Sequence, residues 1–189
     1  MSSEPFALVM TGAPASGKST TAAELARRMG AALLDQDSMT NPLVDVVAGV
    51  VGTSDYADPR LAALTREARY ECLLRVASDC LRSGVPVIMI APFTAERQDP
   101  DAWDRLASQL ADTGGRVRLV WIRISPGLLI DRLVARAAPR DQGKIDDLPG
   151  YIASLDLDPP RAPHIEVDGA LTASEQATRI LESLSDFAA

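Results

Sequence analysis

Lysine is almost missing from this chain: of its 19 lysines and arginines, only Lys18 and Lys144 are lysine. Histidine occurs once, at His164, ahead of the last strand pattern, and is read as structural. Cysteine occurs twice, at Cys72 and Cys80, eight residues apart in a stretch of helical periodicity. That spacing fits neither a CxxC redox pair nor a metal site and favours buried, reduced thiols. Aromatic residues make up 4% of the chain, and Trp103 and Trp121 fall in a helical and a strand pattern, as core residues do. No apolar run approaches the ~18 residues of a membrane span, and Met1-Ser2-Ser3-Glu4-Pro5 has no basic region followed by an apolar stretch. We therefore expect a cytoplasmic protein, neither exported nor membrane-bound. The net charge of −7, with no clustered basic residues, argues against a nucleic-acid surface. What is present, 47% apolar and 24% charged residues over 189 positions, is the balance of one folded domain.

Strand and helix patterns alternate along the chain, which predicts an α/β fold with a parallel sheet covered by helices on both faces. Strands are expected at 6–10, 31–34, 85–90, 117–124 and 165–167, and helices at 18–29, 61–82, 101–113, 126–137 and 174–184. In the long helix the apolar positions Leu61, Leu64, Ala68, Cys72, Leu73, Val76 and Leu81 are spaced for one buried face. From Ser38 to Pro59 the periodicity fades among Pro, Gly, Asp and Thr, and residues 38–70 read as a substrate-side insertion within a single domain spanning 1–189. A charged, Pro- and Gly-containing segment within 132–150 reads as a mobile lid.

Residues 12–20 read GAPASGKST, a full match to G-x-x-x-x-G-K-[ST] between a buried strand and a helix. Backbone N–H groups of such a loop and the helix N-terminus cradle nucleotide phosphates. Gly12, Ala13, Pro14, Ala15, Ser16, Gly17, Lys18, Ser19 and Thr20 are thus the expected nucleotide contacts. Gly12 and Gly17 permit close approach, Lys18 reaches the β and γ phosphates, and Ser19 offers its hydroxyl to magnesium. Asp35-Gln36-Asp37 follows the second strand, and alternation along an extended chain would send both carboxylates the same way. Asp37 is expected to take the proton of a substrate hydroxyl and Asp35 to join the magnesium's water shell. An acidic turn after a strand is the competing reading.

The loop and the Asp-x-Asp segment together resemble small-molecule kinases of the P-loop NTPase fold: shikimate kinase, gluconate kinase, chloramphenicol phosphotransferase and the zeta-toxin type. The resemblance implies a five-stranded parallel sheet in the order 2-3-1-4-5, a lid closing over ATP, ATP and Mg2+ as cofactors, and transfer of a phosphoryl group to a hydroxyl of a small molecule. By that similarity Arg132 lies near the adenine and Arg136 near the transferred phosphoryl, with Arg140 and Lys144 beside phosphate or substrate. A solvated helix face with ion pairs to Asp131, Asp141, Asp146 and Asp147 explains the same arginines. Further substrate candidates are Tyr56, Arg60, Arg66, Arg69, Tyr70 and Arg97, while Arg66 and Arg69 serve equally well as helix surface. Ser38-Met39-Thr40-Asn41 departs from the gluconate kinase pattern and Ala91-Pro92-Phe93-Thr94 from the Gly-Gly-Gly of shikimate kinase; the latter stretch also lacks a carboxylate directly after the strand. The acceptor therefore stays open between a sugar or sugar acid and an antibiotic. A partner-coupled ATPase or nucleotide-binding module is the alternative of a different class. The expected state is a monomer or homodimer.

Overall fold

The structure, a computed structural model, describes residues 4–56, 58–136 and 145–186. Five strands, β1 (Phe6–Gly12), β2 (Ala32–Asp35), β3 (Val87–Ile90), β4 (Arg116–Arg123) and β5 (His164–Asp168), pair in parallel in the order β2-β3-β1-β4-β5. This is the expected sheet. Its strands read as unbroken apolar runs because both faces are covered. Ala7, Val9, Val87, Met89, Val117 and Leu119 pack on one side. Leu8, Met10, Ile88, Ile90, Val120, Ile122, Ile165 and Val167 pack on the other. From β1 the chain crosses to β2 and β3 on one side and then to β4 and β5 on the other, so the carboxyl end of β1 lies where an open sheet forms its ligand crevice.

Helix α1 (Lys18–Met29) and the last helix, α8 (Ala173–Asp186), cover the second face through Ala22, Leu25, Ala177, Ile180 and Leu184. Helices α3 (Pro59–Arg82) and α5 (Pro100–Ala111) cover the first face through Leu73, Ala77, Leu81, Trp103, Leu106 and Leu110. The buried positions of α3 are Leu61, Thr65, Leu73, Ala77, Ser78 and Leu81. Leu64 and Ala68, expected inside, face outward, and Cys72 and Cys80 are half-buried free thiols. Helix α6 (Pro126–Arg136) and the short α7 (Leu148–Ser154) share a small apolar cluster with Ala13 of the phosphate loop, built on Leu129, Leu133 and Tyr151.

The segment read as an irregular insertion is largely a helix, α2 (Gln36–Val51). Asp35 caps it, accepting hydrogen bonds from the N–H groups of Asp37 and Ser38, and Val44 and Ala48 pack against Leu61 of α3. Pro42 lies within it, and Leu43, Val46 and Val50 are exposed, so composition hid the helical period. The correction reaches the site. The chain turns helical directly after Asp35, so Asp35 and Asp37 are not alternate residues of one extended strand.

Candidate functional site

The turn from β1 into α1 holds the backbone that the sequence motif demands. Gly12 has φ +145°, and a Cβ there would stand 2.6 Å from the carbonyl oxygen of Ile122 in β4. Gly17 caps α1 at φ +104°, and even Ala15 takes φ +61°. The Ser16 hydroxyl is buried inside the loop without a protein partner, and Lys18 Nζ donates to the carbonyls of Gly12 and Ala13 at 2.7 and 2.8 Å. A buried orphan hydroxyl and a cation folded across a cradle of N–H groups fit an anion such as a phosphate chain.

Lys18 is the electrostatic centre of the site. Its pKa is lowered from 10.5 to about 8, chiefly by burial and then by the charges of Arg97 and Arg136, against the upward pull of Asp35 and Asp37. Charges carried by four different elements or their ends therefore act on one ammonium. Arg136 ends α6 and is exposed. The neighbouring Arg132 reaches from α6 onto the loop, donating to the carbonyls of Ala15 and Ser16 at 3.2 and 3.1 Å and to that of Gly169 at 2.7 Å. A hollow of about 380 Å³ lies beside it, lined by Gly17, Lys18, Ser19, Thr20, Arg136 and Thr172 among others.

Asp37 is exposed, but its carboxylate is held at 2.5 Å by Arg69. Arg69 also donates to Thr40 Oγ1 and Asn41 Oδ1, which fixes α3 against the start of α2. Arg69 is thus built in as a support for Asp37. Ser19 is exposed at the head of α1, and Asp35 uses one oxygen as a helix cap. Among the described residues no group of three His, Cys, Asp or Glu side chains could cage a metal. The donors suit an ion that keeps waters and takes most of its oxygens from a phosphate chain.

The remaining candidates scatter. Arg60 pairs with the capping Asp58 of its own helix, and Tyr56 hydrogen-bonds Asp45 at the surface. Arg66 borders a shallow hollow with Glu67, Tyr70 and Glu96. Arg97, on the short helix α4 (Thr94–Gln98), is buried, donates to the carbonyls of Asp156 and Asp158 and leaves its Nε unpartnered. Arg140 and Lys144 lie outside the described residues.

Tyr70 accepts the N–H of Phe93 at 2.9 Å, and Phe93 is a fully buried residue at φ +46°. Tyr70→Phe would orphan that buried N–H. Urea unfolding is expected to show a loss of about 1–2 kcal/mol, with no change in the fold.

Sequence reading missed Thr21 and Gln176, a buried polar pair beside the phosphate loop. The signal was present: Gln176 adjoins the apolar stripe of Ala177, Ile180 and Leu184, where a polar side chain needs a partner.

The fold is shared with solved kinases. Three of these structures are a provisionally assigned kinase from Chloroflexus aurantiacus (20% identity, 97% of each chain covered, TM-score 0.63), a gluconokinase from Sinorhizobium meliloti (20%, 97% of this chain and 94% of that one, 0.58) and shikimate kinase from Aquifex aeolicus (20%, 97% and 98%, 0.54). No curated protein sequence matches the chain. Among the described residues no helix is long and apolar enough to cross a membrane. The model of the AAA domain family matches residues 8–148, from β1 and the phosphate loop to the start of α7. The chain belongs to that family and has the fold of a P-loop kinase.

Proposed function

We propose that the protein transfers the γ-phosphoryl group of MgATP to a hydroxyl of a small molecule. The observation that carries this reading is the phosphate loop itself, with Gly12 and Gly17 at positive φ, the Ser16 hydroxyl buried without a protein partner and Lys18 folded over the loop carbonyls. A phosphate chain laid along the loop meets Lys18, and Arg136, which lines the same hollow, stabilises the charge that develops on the transferred oxygens. Asp37, oriented by Arg69, accepts the proton of the attacking hydroxyl. Ser19 and Asp35 are the residues that would hold magnesium, directly or through water, and the ion when bound neutralises phosphate charge. We further propose a soluble cytoplasmic protein, monomeric or homodimeric, with no nucleic-acid or membrane partner. Residues 132–150 serve in this reading as the lid, and residues 38–70 form the acceptor side.

The test is ADP release from MgATP across pooled sugars, sugar acids, nucleosides and antibiotics. One pool is expected to stimulate release and to yield a product heavier by one phosphoryl group. If no compound alters the rate while a protein partner does, the protein is a partner-coupled ATPase instead.

The lowered pKa of Lys18 gives a second expectation. Between about pH 8 and 10.5 the folded, ligand-free protein binds fewer protons at this group than the unfolded chain. Its contribution to stability is therefore lowest below about pH 8 and rises with pH through that window. Phosphate oxygens favour the ammonium, so ATP binding above about pH 8 takes up a proton. Calorimetry is expected to show affinity falling by up to about tenfold per pH unit above that point, and Lys18→Met to remove the dependence.

A further inference from the structure

Two buried side chains beside the phosphate loop take no part in the chemistry above. Thr21, on α1 and 0% exposed, donates its hydroxyl to Oε1 of Gln176 at 2.5 Å; Gln176, on α8, is 2% exposed. The amide nitrogen of Gln176 donates to the carbonyl of Leu171 at 2.8 Å and to that of Gly169 at 3.4 Å. The Gly169 carbonyl also receives Arg132, whose other nitrogen holds the loop carbonyls of Ala15 and Ser16. A Cβ on Gly17 would lie 3.7 Å from Arg132 and 3.8 Å from Gln176. Phosphate loop, α6 and the turn between β5 and α8 thus meet at one point.

That turn is itself held in shape. Asp168 Oδ1 accepts from the N–H of Ala170, and Glu175 accepts from both the N–H and the hydroxyl of Thr172. The hollow beside the loop runs between the head of α1 and this turn, with Leu171, Thr172 and Ala173 on one side and Lys18, Ser19 and Thr20 on the other. A phosphate chain on the loop directs the rest of a nucleotide into this hollow, where Leu171 supplies an apolar surface and Arg132 a planar cation for a base.

We propose that Thr21 and Gln176 are positioning residues for the nucleotide base: their hydrogen bond ties the 169–172 turn to α1 and sets its distance from the phosphate loop. The inference rests on the nucleotide reading given under Proposed function. A buried amide is tolerated only when its donors and acceptor are matched. Here they are matched by one placement of the turn, so the base meets a surface already in position and binding loses less to ordering. Neither residue touches the reacting atoms, so the defect on removal belongs in binding and in KM for ATP, with kcat kept.

The experiment compares binding of ATP with binding of inorganic tripolyphosphate, which fills the loop but has no base, in Thr21→Val, Gln176→Leu and Thr21→Ser. Both disrupting variants are expected to weaken ATP by about tenfold while tripolyphosphate stays within about twofold, and Thr21→Ser binds both as the wild type does. Equal weakening of the two ligands, or no weakening of ATP, overturns the proposal. So does a wild-type protein that binds ATP no better than tripolyphosphate. A wild-type protein that binds neither overturns the nucleotide reading and this inference with it. If Gln176→Leu fails to fold, Thr21→Val decides alone, because it keeps the side-chain shape and leaves the donations of Gln176 to the turn in place.

Discussion

Lys18→Ala is expected to lower kcat/KM for phosphoryl transfer by about a thousandfold, measured in steady state with the acceptor found by the screen. Lys144 is the only other lysine in the chain. Lys18 is held over the loop by the carbonyls of Gly12 and Ala13, and its charge lies where Asp35, Asp37, Arg97 and Arg136 all act on it. Arginine is a poor replacement: its guanidinium is larger and planar, and the half-buried slot holds a compact ammonium. ATP binding is expected to weaken less than turnover, because the loop's backbone N–H groups and the head of α1 remain. The melting temperature is not expected to fall, because the substitution removes a charge that the folded protein disfavours relative to water, as its lowered pKa shows. A variant that loses activity and stability together points to a structural lysine.

Asp37→Asn is expected to lower kcat by about two to three orders of magnitude, with KM for ATP near the wild-type value. The amide keeps an oxygen for Arg69 but cannot take a proton, so this substitution isolates the proton acceptor from the ion pair. Asp35→Asn is a less informative control because Asp35 also caps α2, and its effects on helix stability and on metal binding mix. An Asp37→Asn enzyme with undiminished kcat removes Asp37 from the proton-acceptor role and moves attention to Asp35.

Much of the frame was legible in the sequence for reasons of backbone geometry. A strand buried on both faces reads as a continuous apolar run, and a phosphate cradle needs glycine where a Cβ would stand 2.6 Å from the Ile122 carbonyl oxygen, so Gly12, Gly17 and Lys18 appear at fixed spacing. Helix α2 was not legible. Its exposed Leu43, Val46 and Val50 and its internal Pro42 blur the periodicity, and its stability comes from the Asp35 cap and from packing on α3.

The substrate-side candidates show the other limit of a one-dimensional reading. Arg60 and Tyr56 meet carboxylates close by in sequence, Asp58 and Asp45, whereas Arg69 crosses 32 residues to hold Asp37. Nothing local distinguishes these three. For Thr21 and Gln176 the sequence offers only a polar residue beside an apolar stripe, and their pairing appears when α1 and α8 lie side by side on one face of the sheet.

The central claim is that the γ-phosphoryl goes to a small-molecule hydroxyl. Phosphorus-31 NMR of MgATP, the enzyme and the stimulating compound tests it directly. The account predicts a new phosphate monoester signal growing in step with ADP, absent with Lys18→Ala. Inorganic phosphate growing in step with ADP, with no monoester, contradicts it and makes the protein an ATPase.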